Sequence, residues 1–295
     1  MLPGAYLGPI ASALVVTAVA DGRPGLRRWL ARMWRWRVGG RWYAITLLGV
    51  PAAMLATGYL YSGGQIATPS IMVLAAYLPV LLLQMITTGL AEEPGWRDFA
   101  LPRVQRRFGP FGGTMLLGPI WALWHAPLFL TEWGGWPEAS WTRPVAFLIF
   151  CLGFNVVMTW IFNRTGESLP LAMLAHVGVN TFASVMWTEM FPTLDGDLAM
   201  HAMATGAVVA AVAILCTTRG RLGYTGPVEH RISRTPRRGL NRPVVWTSLV
   251  LALSVNATTS VVGLPVVLSA AFGLAALGLA TLLTHDHYRR RSAPQ

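Results

Sequence analysis

Long apolar runs constrain this chain more than any other feature of its sequence. Nine of them follow one another, each close to the roughly 20 residues that a helix needs to cross about 30 Å of hydrocarbon. In that layer every backbone N–H and C=O must be bonded within the protein, which a helix achieves alone. The runs lie near 3–19, 42–61, 71–91, 112–131, 144–162, 168–187, 198–216, 244–263 and 265–284. The sequence therefore predicts an all-α fold, a polytopic bundle of about eight to nine membrane-spanning helices.

The charged residues fit a membrane protein better than a nucleic-acid-binding protein. Only 12% of residues are charged, the net charge is +11, and all 23 basic residues are arginines, most of which lie between apolar runs. When the loops are placed alternately, every arginine except Arg143 falls on one side, which the positive-inside rule assigns to the cytoplasm. We therefore expect a cell-membrane protein whose cytoplasmic Arg-rich loops touch lipid, and no nucleic-acid partner. Arginine without lysine also indicates a bacterial source.

Composition divides the chain into three parts. Residues 1–216 hold seven of the apolar runs and are expected to be the working unit. Residues 217–243 are basic and rich in Gly, Pro and Thr, which is typical of a linker. Residues 244–295 are predicted to form an accessory transmembrane hairpin with a basic tail. Arginines follow the first run rather than precede it, so we expect a retained helix and not a signal peptide. The two cysteines show neither a disulfide nor a zinc pattern.

Two adjacent glutamates stand at the end of the third run, where charge is costly and function is the default explanation. Neighbouring side chains on a helix diverge by about 100 degrees, so at most one of Glu92 and Glu93 is expected to be the central base. Glu93 and Arg97 have the i to i+4 spacing of an ion pair. Pro94 is expected to end or kink the helix at Glu93. The alternative is that both carboxylates are simply solvated at the headgroup level.

Two later runs carry one histidine each. His125 lies among Trp, Ala, Leu and Pro, with no polar neighbour in sequence. His176 and Asn180 are four residues apart, which places both on one helix face with about 6 Å of rise between them. Such residues also occur where polar side chains merely bond helices to one another. Together with a carboxylate, two imidazoles and an amide supply the groups that a hydrolytic enzyme needs.

In this order and setting, three motifs resemble the CAAX protease and bacteriocin-processing family of intramembrane endopeptidases. They are EExxxR from Glu92, an aromatic residue four positions before His125, and HxxxN from His176. The family usually has Phe in the second motif, where this chain has Trp121, and commonly Gly where this chain has Asp98. The replacement of Phe by Trp keeps an aromatic wall beside the histidine.

The resemblance covers Leu47 to Thr188 and leaves out the C-terminal hairpin. Carried over position by position, it implies an active site made of Glu92, Glu93, Arg97, His125, His176 and Asn180. It also implies an endopeptidase that cuts a membrane-associated or lipid-linked peptide, since the eukaryotic members trim prenylated CAAX tails. The alternative function is a non-catalytic immunity or scaffold protein, in which the polar cluster only locks the bundle.

Two mechanisms suit these residues. In the first, Glu92 with His125 draws a proton from water. His176 and Asn180 then stabilise the oxyanion. In the second, Glu92, His125 and His176 hold a single zinc ion with one open position for water. HExxH is absent, and the family has been described in both ways; we prefer the metal-free version. A serine mechanism through Ser168 is disfavoured, because a serine at a helix start is more simply an N-cap.

The heights of these side chains do not agree if each run is one straight helix. Measured from the Arg-rich side, Glu92 lies near the surface, whereas His125 lies up to about 20 Å deep. An interfacial helix and turn from Glu93 to Gly118, with spanning structure from Pro119 to Trp136, brings them to one level.

Overall fold

The computed structural model describes residues 3–228 and 266–291, and six single positions between them (Val245, Trp246, Ser248, Leu249, Ala252 and Asn256). Every regular element in this part of the chain is a helix, which confirms the predicted all-α class there. Residues 229–243 of the predicted linker, and most of the apolar run 244–263, lie outside the described residues.

The helices are numbered in chain order. They are α1 (Pro3–Met33), α2 (Gly40–Tyr61), α3 (Ile71–Gln84), α4 (Leu90–Glu93), α5 (Leu101–His125), α6 (Thr142–Arg164), α7 (Leu169–Met190), α8 (Gly196–Thr218) and α9 (Val266–Arg291). Wider π-helical turns join some of them, with Met85–Gly89 before α4 and Pro94–Ala100 after it.

Five helical stretches among the described residues are long and apolar enough to cross a membrane. They are Gly40–Tyr61, Ile71–Leu130, Thr142–Arg164, Leu169–Met190 and Gly196–Thr218. The chain is therefore a multi-pass membrane protein, but the predicted count of eight to nine spans is not confirmed. Runs 71–91 and 112–131 fall within one of the five stretches, and α1 and α9 are not among them.

Helix α6 is the centre of the bundle. Most of its residues are buried, and it packs against α8, α5 and α7. At Gly153 the backbones of α6 and α8 come close, since a β-carbon there would lie 2.7 Å from the Ala207 backbone. In α7, Ala172 and Ala175 are fully buried. This packing places His176, the next residue of α7, inside the protein rather than on its surface.

Helix α1 consists of two arms that meet at Gly22, where φ is 60° and ψ is −159°, a conformation that glycine adopts without steric cost. Both arms press on the turn that follows the glutamates. On the first arm, the Pro9 backbone would lie 2.7 Å from a β-carbon at position 95, which explains why Gly95 stands there. On the second arm, the Trp29 indole donates to the Pro94 carbonyl at 3.2 Å. Helix α1 therefore fixes the turn directly behind the glutamates.

Helix α5 also consists of two arms. Gly109 has φ 74° and ψ 168°, and Pro110 follows as the start of the second arm. That arm ends at His125 and is followed by the 3₁₀ turn Ala126–Leu130. The turn expected between Glu93 and Gly118 therefore lies at Gly109, a glycine that can take a positive φ, and the second arm starts at Pro110 rather than at Pro119.

Candidate active site

Glu92 and Glu93 are the last residues of α4, a short α-helical turn between two π turns. Glu93 has φ −66° and ψ −31°, and the chain continues in a helical conformation through Pro94. The α-helix thus ends at Glu93 as predicted, but Glu93 keeps a helical conformation and the chain continues as a π turn, so the expected break in the helical path is wrong. Pro94 is the first residue of the next turn, a position where the missing N–H costs little. Such π turns occur frequently at functional sites.

Glu93 is fully buried between a histidine and an arginine. Its Oε1 lies 2.8 Å from Nδ1 of His176, and its Oε2 lies 3.2 Å from Nε of Arg97, the pair that the i to i+4 spacing predicts. The second contact is an ion pair without an aligned hydrogen bond, since Nε and Oε2 make none to any described residue. Both oxygens of Glu93 are therefore engaged with the protein.

Glu92 has a different environment from its neighbour. It is 6% exposed, whereas Glu93 is 0% exposed. Its Oε2 accepts a hydrogen bond from Nε1 of Trp121 at 3.1 Å. That indole is the one hydrogen-bond partner of the Glu92 carboxylate among the described residues. Glu92 thus keeps one oxygen for water or a substrate.

Trp121 lies at the centre of the candidate site, and the side chains around it are called here the Trp121 cluster. Its ring meets that of His125 with the centroids 5.7 Å apart and that of His176 at 5.3 Å, both nearly perpendicular. The guanidinium carbon of Arg97 lies 5.7 Å from the indole centroid. The sequence predicted an aromatic wall here but not the hydrogen bond to Glu92. The indole itself was the available signal, because a buried Trp usually finds an acceptor for its N–H.

His125 is held by its own helix. Its Nδ1 lies 2.9 Å from the carbonyl oxygen of Trp121. A carbonyl only accepts, so Nδ1 carries the proton and Nε2 of the neutral ring is an acceptor. Phe147 and Trp133 pack on the ring with centroid distances of 5.2 and 6.3 Å. The atom of His125 that remains for chemistry is therefore Nε2.

Asn180 and Arg97 both have side-chain donors that make no hydrogen bond to a described residue. Asn180 lies one turn beyond His176 on α7 and is half-buried; its carbonyl accepts from Ser184, whereas its amide bonds to no described residue. Arg97 keeps a buried Nη1 that also lacks a hydrogen-bond partner in the described part of the chain. A buried donor left open in this way calls for an explanation, and a substrate oxygen supplies one.

The residues expected for zinc are not arranged around one point. Among the described residues, no three His, Cys, Asp or Glu side chains group together in a way that could hold a metal ion. Of the set Glu92, His125 and His176, the third bonds Glu93 instead. Nε2 of each histidine is the atom that would face a ligand, because Nδ1 of both rings is already bonded. The chemistry of these donors therefore suits either a water or a metal.

Comparisons with known proteins agree with the motifs. Residues 74–182 match the model of a family described as type II CAAX prenyl endopeptidase, Rce1-like. The chain is also similar to CAAX prenyl protease 2 of Methanococcus maripaludis, with 27% identity over 138 residues, which is 45% of this chain and 48% of that protein. The chain thus spans about half the length of the curated relative that it matches. All six candidate residues fall within the stretch that matches the family.

Proposed function

Because residues 74–182 match the type II CAAX prenyl endopeptidase family, we propose that this chain is an intramembrane endopeptidase of the CAAX protease and bacteriocin-processing family. In this proposal it hydrolyses a peptide bond of a membrane-associated or lipid-linked peptide, with water activated by Glu92 and His125. The observation that supports the proposal most is the unequal state of the two carboxylates. Glu93 is fully buried, with one oxygen hydrogen-bonded to His176 and the other in an ion pair with Arg97, whereas Glu92 is bonded through one oxygen and is 6% exposed.

Glu92 is the base in this mechanism. The indole of Trp121 holds Oε2, so the carboxylate has one orientation while Oε1 accepts a proton from water. The water oxygen forms a bond to the carbonyl carbon of the substrate, and the π electrons of the carbonyl move to its oxygen. Nε2 of His125 accepts a hydrogen bond from the second water proton. The proton on Glu92 then passes to the leaving nitrogen as the C–N bond breaks.

His176 and Asn180 are the proposed oxyanion donors. Nδ1 of His176 already donates to Glu93, so Nε2 donates only when the ring is an imidazolium, a cation that Glu93 neutralises. The free amide of Asn180, one turn along the same face of α7, supplies the second donor. Each oxyanion donor is worth about 3 to 4 kcal/mol of transition-state stabilisation in well-studied enzymes.

Glu93 and Arg97 are positioning residues in this scheme. Glu93 fixes the ring of His176, and Arg97 balances the charge of Glu93 from the next helical turn. Neither side chain is exposed. Their contribution is therefore the orientation of His176 in a site from which bulk water is excluded, which strengthens the electrostatic interactions there.

The direct test is hydrolysis by the full chain in proteoliposomes. The substrate is a fluorogenic peptide with a prenylated cysteine near its C-terminus, and an unprenylated copy serves as its control. We expect cleavage of the lipid-linked peptide by the wild type and none by Glu92→Gln at an unchanged melting temperature. If no peptide is cut and Glu92→Gln melts far below the wild type, the cluster serves as a structural lock and the scaffold function is favoured.

Two further parts of the proposal have separate tests. We place the protein in the cell membrane of a bacterium with its Arg-rich loops in the cytoplasm, which cysteine accessibility at positions 37 and 138 from each side would check. The mechanism needs no zinc, so dialysis against a chelator is expected to leave cleavage intact. Loss of cleavage that zinc alone restores would instead assign Glu92, His125 and His176 to a metal.

A further inference from the structure

A polar cleft lies between the two arms of α1, the start of α5 and the turn after α6. Its volume is about 320 Å³. Charged side chains provide much of its wall: Asp21, Arg28, Arg32, Arg103, Arg106 and Glu167. The mechanism proposed above uses none of them, and the cleft lies outside the Trp121 cluster.

The charges of the cleft are unequally paired. Arg103 bonds Asp21 at 2.7 Å, and Arg32 bonds Asp98 and Glu167. Arg28 and Arg106 are exposed and make no ion pair or hydrogen bond to a described residue. The cleft therefore carries two cationic groups whose charge no described side chain balances, and it suits an anion.

The first arm of α1 adds an apolar surface beside this cleft. Thr17 and Asp21 line the cleft, and Leu14 stands one helical turn before Thr17 on the same face. Leu14 is 45% exposed and its neighbour Val15 is 53% exposed. The apolar strip suits the acyl chains of a lipid molecule, and the basic cleft at its end suits the headgroup.

The wall of the cleft is also joined to the turn behind the glutamates. Trp29, a cleft residue, donates to the carbonyl of Pro94. Arg32, another, pairs with the buried carboxylate of Asp98 and donates to its carbonyl at 3.2 Å. A ligand that holds the second arm of α1 therefore also holds the residues next to Glu93 and Arg97.

We propose that this cleft binds the headgroup phosphate of an anionic membrane lipid, whose acyl chains lie along the exposed face of the first arm of α1. Arg28 and Arg106 contact the phosphate, and the bound lipid holds α1 against the turn Pro94–Ala100. Binding does not depend on the peptidase function; only a consequent rise in turnover rests on the function proposed above.

The test compares lipid binding by two double variants, called here the cleft pair and the control pair. Arg28→Gln/Arg106→Gln removes the cleft cations, and Arg37→Gln/Arg107→Gln removes two exposed arginines outside it. Each full-length protein is titrated in detergent with phosphatidylglycerol or phosphatidylcholine, and binding is read from native mass spectra and from the melting temperature. Removal of the cleft pair is expected to weaken retention of phosphatidylglycerol about fivefold per arginine, or about 25-fold in total. The control pair should bind like the wild type.

Three results would overturn the proposal. An equal loss of phosphatidylglycerol binding in the cleft pair and the control pair would mean that the arginines act only through net charge. Equal binding of the two lipids would remove the role of the phosphate charge. A full melting shift with inorganic phosphate alone would identify a free-anion site rather than a lipid site. In nanodiscs, a rise in turnover with phosphatidylglycerol that only the cleft pair loses would support the link to the glutamates, and a protein that binds the lipid but cuts no peptide would contradict the proposed function alone.

Discussion

The Trp121 cluster has two sides that differ in how fully the protein encloses their carboxylates. On the Glu93 side, Glu93 is enclosed by His176 and Arg97 with no exposure to solvent. On the Glu92 side, Glu92 has one hydrogen bond, from Trp121, and retains some exposure. The carboxylates belong to adjacent residues, so their difference arises from the helical divergence of the side chains and from the partners that each one meets. The comparison indicates that one side maintains the structure and the other is open to chemistry.

The largest expected effect on turnover comes from a substitution on the Glu92 side. Glu92→Gln removes the proposed base and retains an oxygen for the indole bond, so we expect kcat to fall about 10²- to 10⁴-fold with little change in the melting temperature. The measurement is peptide cleavage in proteoliposomes beside a thermal melt. Glu138→Gln, a change at an exposed glutamate, is the matched control. Full activity in Glu92→Gln would mean that the Glu92 side is not the catalytic one and would make Glu93 the base.

On the Glu93 side, substitutions are expected to lower the free energy of unfolding. Arg97→Ala leaves the charge of Glu93 buried without its ion pair, which costs about 3 to 5 kcal/mol of unfolding free energy. Glu93→Gln is expected to resemble it, because Arg97 is then the unbalanced charge. A double-mutant cycle measured by denaturation should give a coupling of about 0.5 to 3 kcal/mol. Additive effects would mean that the 3.2 Å contact contributes little and that this side is not a structural unit.

Trp121→Phe tests the bond that distinguishes the Glu92 side. The substitution keeps an aromatic ring at this buried position and removes the indole N–H together with part of the bicyclic ring, so the protein should fold with a somewhat lower melting temperature. A hydrogen bond to a charged group contributes about 1.5 to 3 kcal/mol, which corresponds to about a 10- to 150-fold loss in kcat if it is needed to orient Glu92. KM should change much less. Combined with Glu92→Gln, the substitution should cause no further loss, and an additional loss would place the role of Trp121 elsewhere.

The contrast between the two sides also explains which features the sequence could predict. The Glu93–Arg97 contact lies within one helical segment, and the i to i+4 spacing predicts it from two letters of the sequence. The Glu92–Trp121 bond joins residues 29 positions apart. It depends on the turn at Gly109 that returns the second arm of α5 to the glutamates, and apolar run lengths do not reveal that turn. The contact of His176 with Glu93 depends in the same way on how α7 packs.

The helical class followed from the apolar runs, because a membrane leaves the backbone few alternatives. The number of spans did not follow, since run length alone does not distinguish a spanning helix from one that is broken, as α5 is at Gly109. The division of the chain at residues 216 and 243 stays a prediction. Leu222, inside the predicted linker, is fully buried, and its carbonyl accepts a hydrogen bond from Asn163.

The smallest effect is expected from removal of the C-terminal hairpin, which contributes to neither side of the cluster. Described side chains of that hairpin pack on one another, with Leu249 near Ala276 and Leu283, and α9 touches the rest of the protein at α1. Deletion of residues 229–295 should therefore leave cleavage in liposomes nearly unchanged. Deletion from residue 221 also removes Leu222 and should lower the unfolding free energy by a further amount of about 1.5 to 3 kcal/mol, the value of one buried leucine. If the shorter deletion folds with an unchanged melting temperature but cuts no peptide, the hairpin takes part in catalysis and the comparison must include a third region.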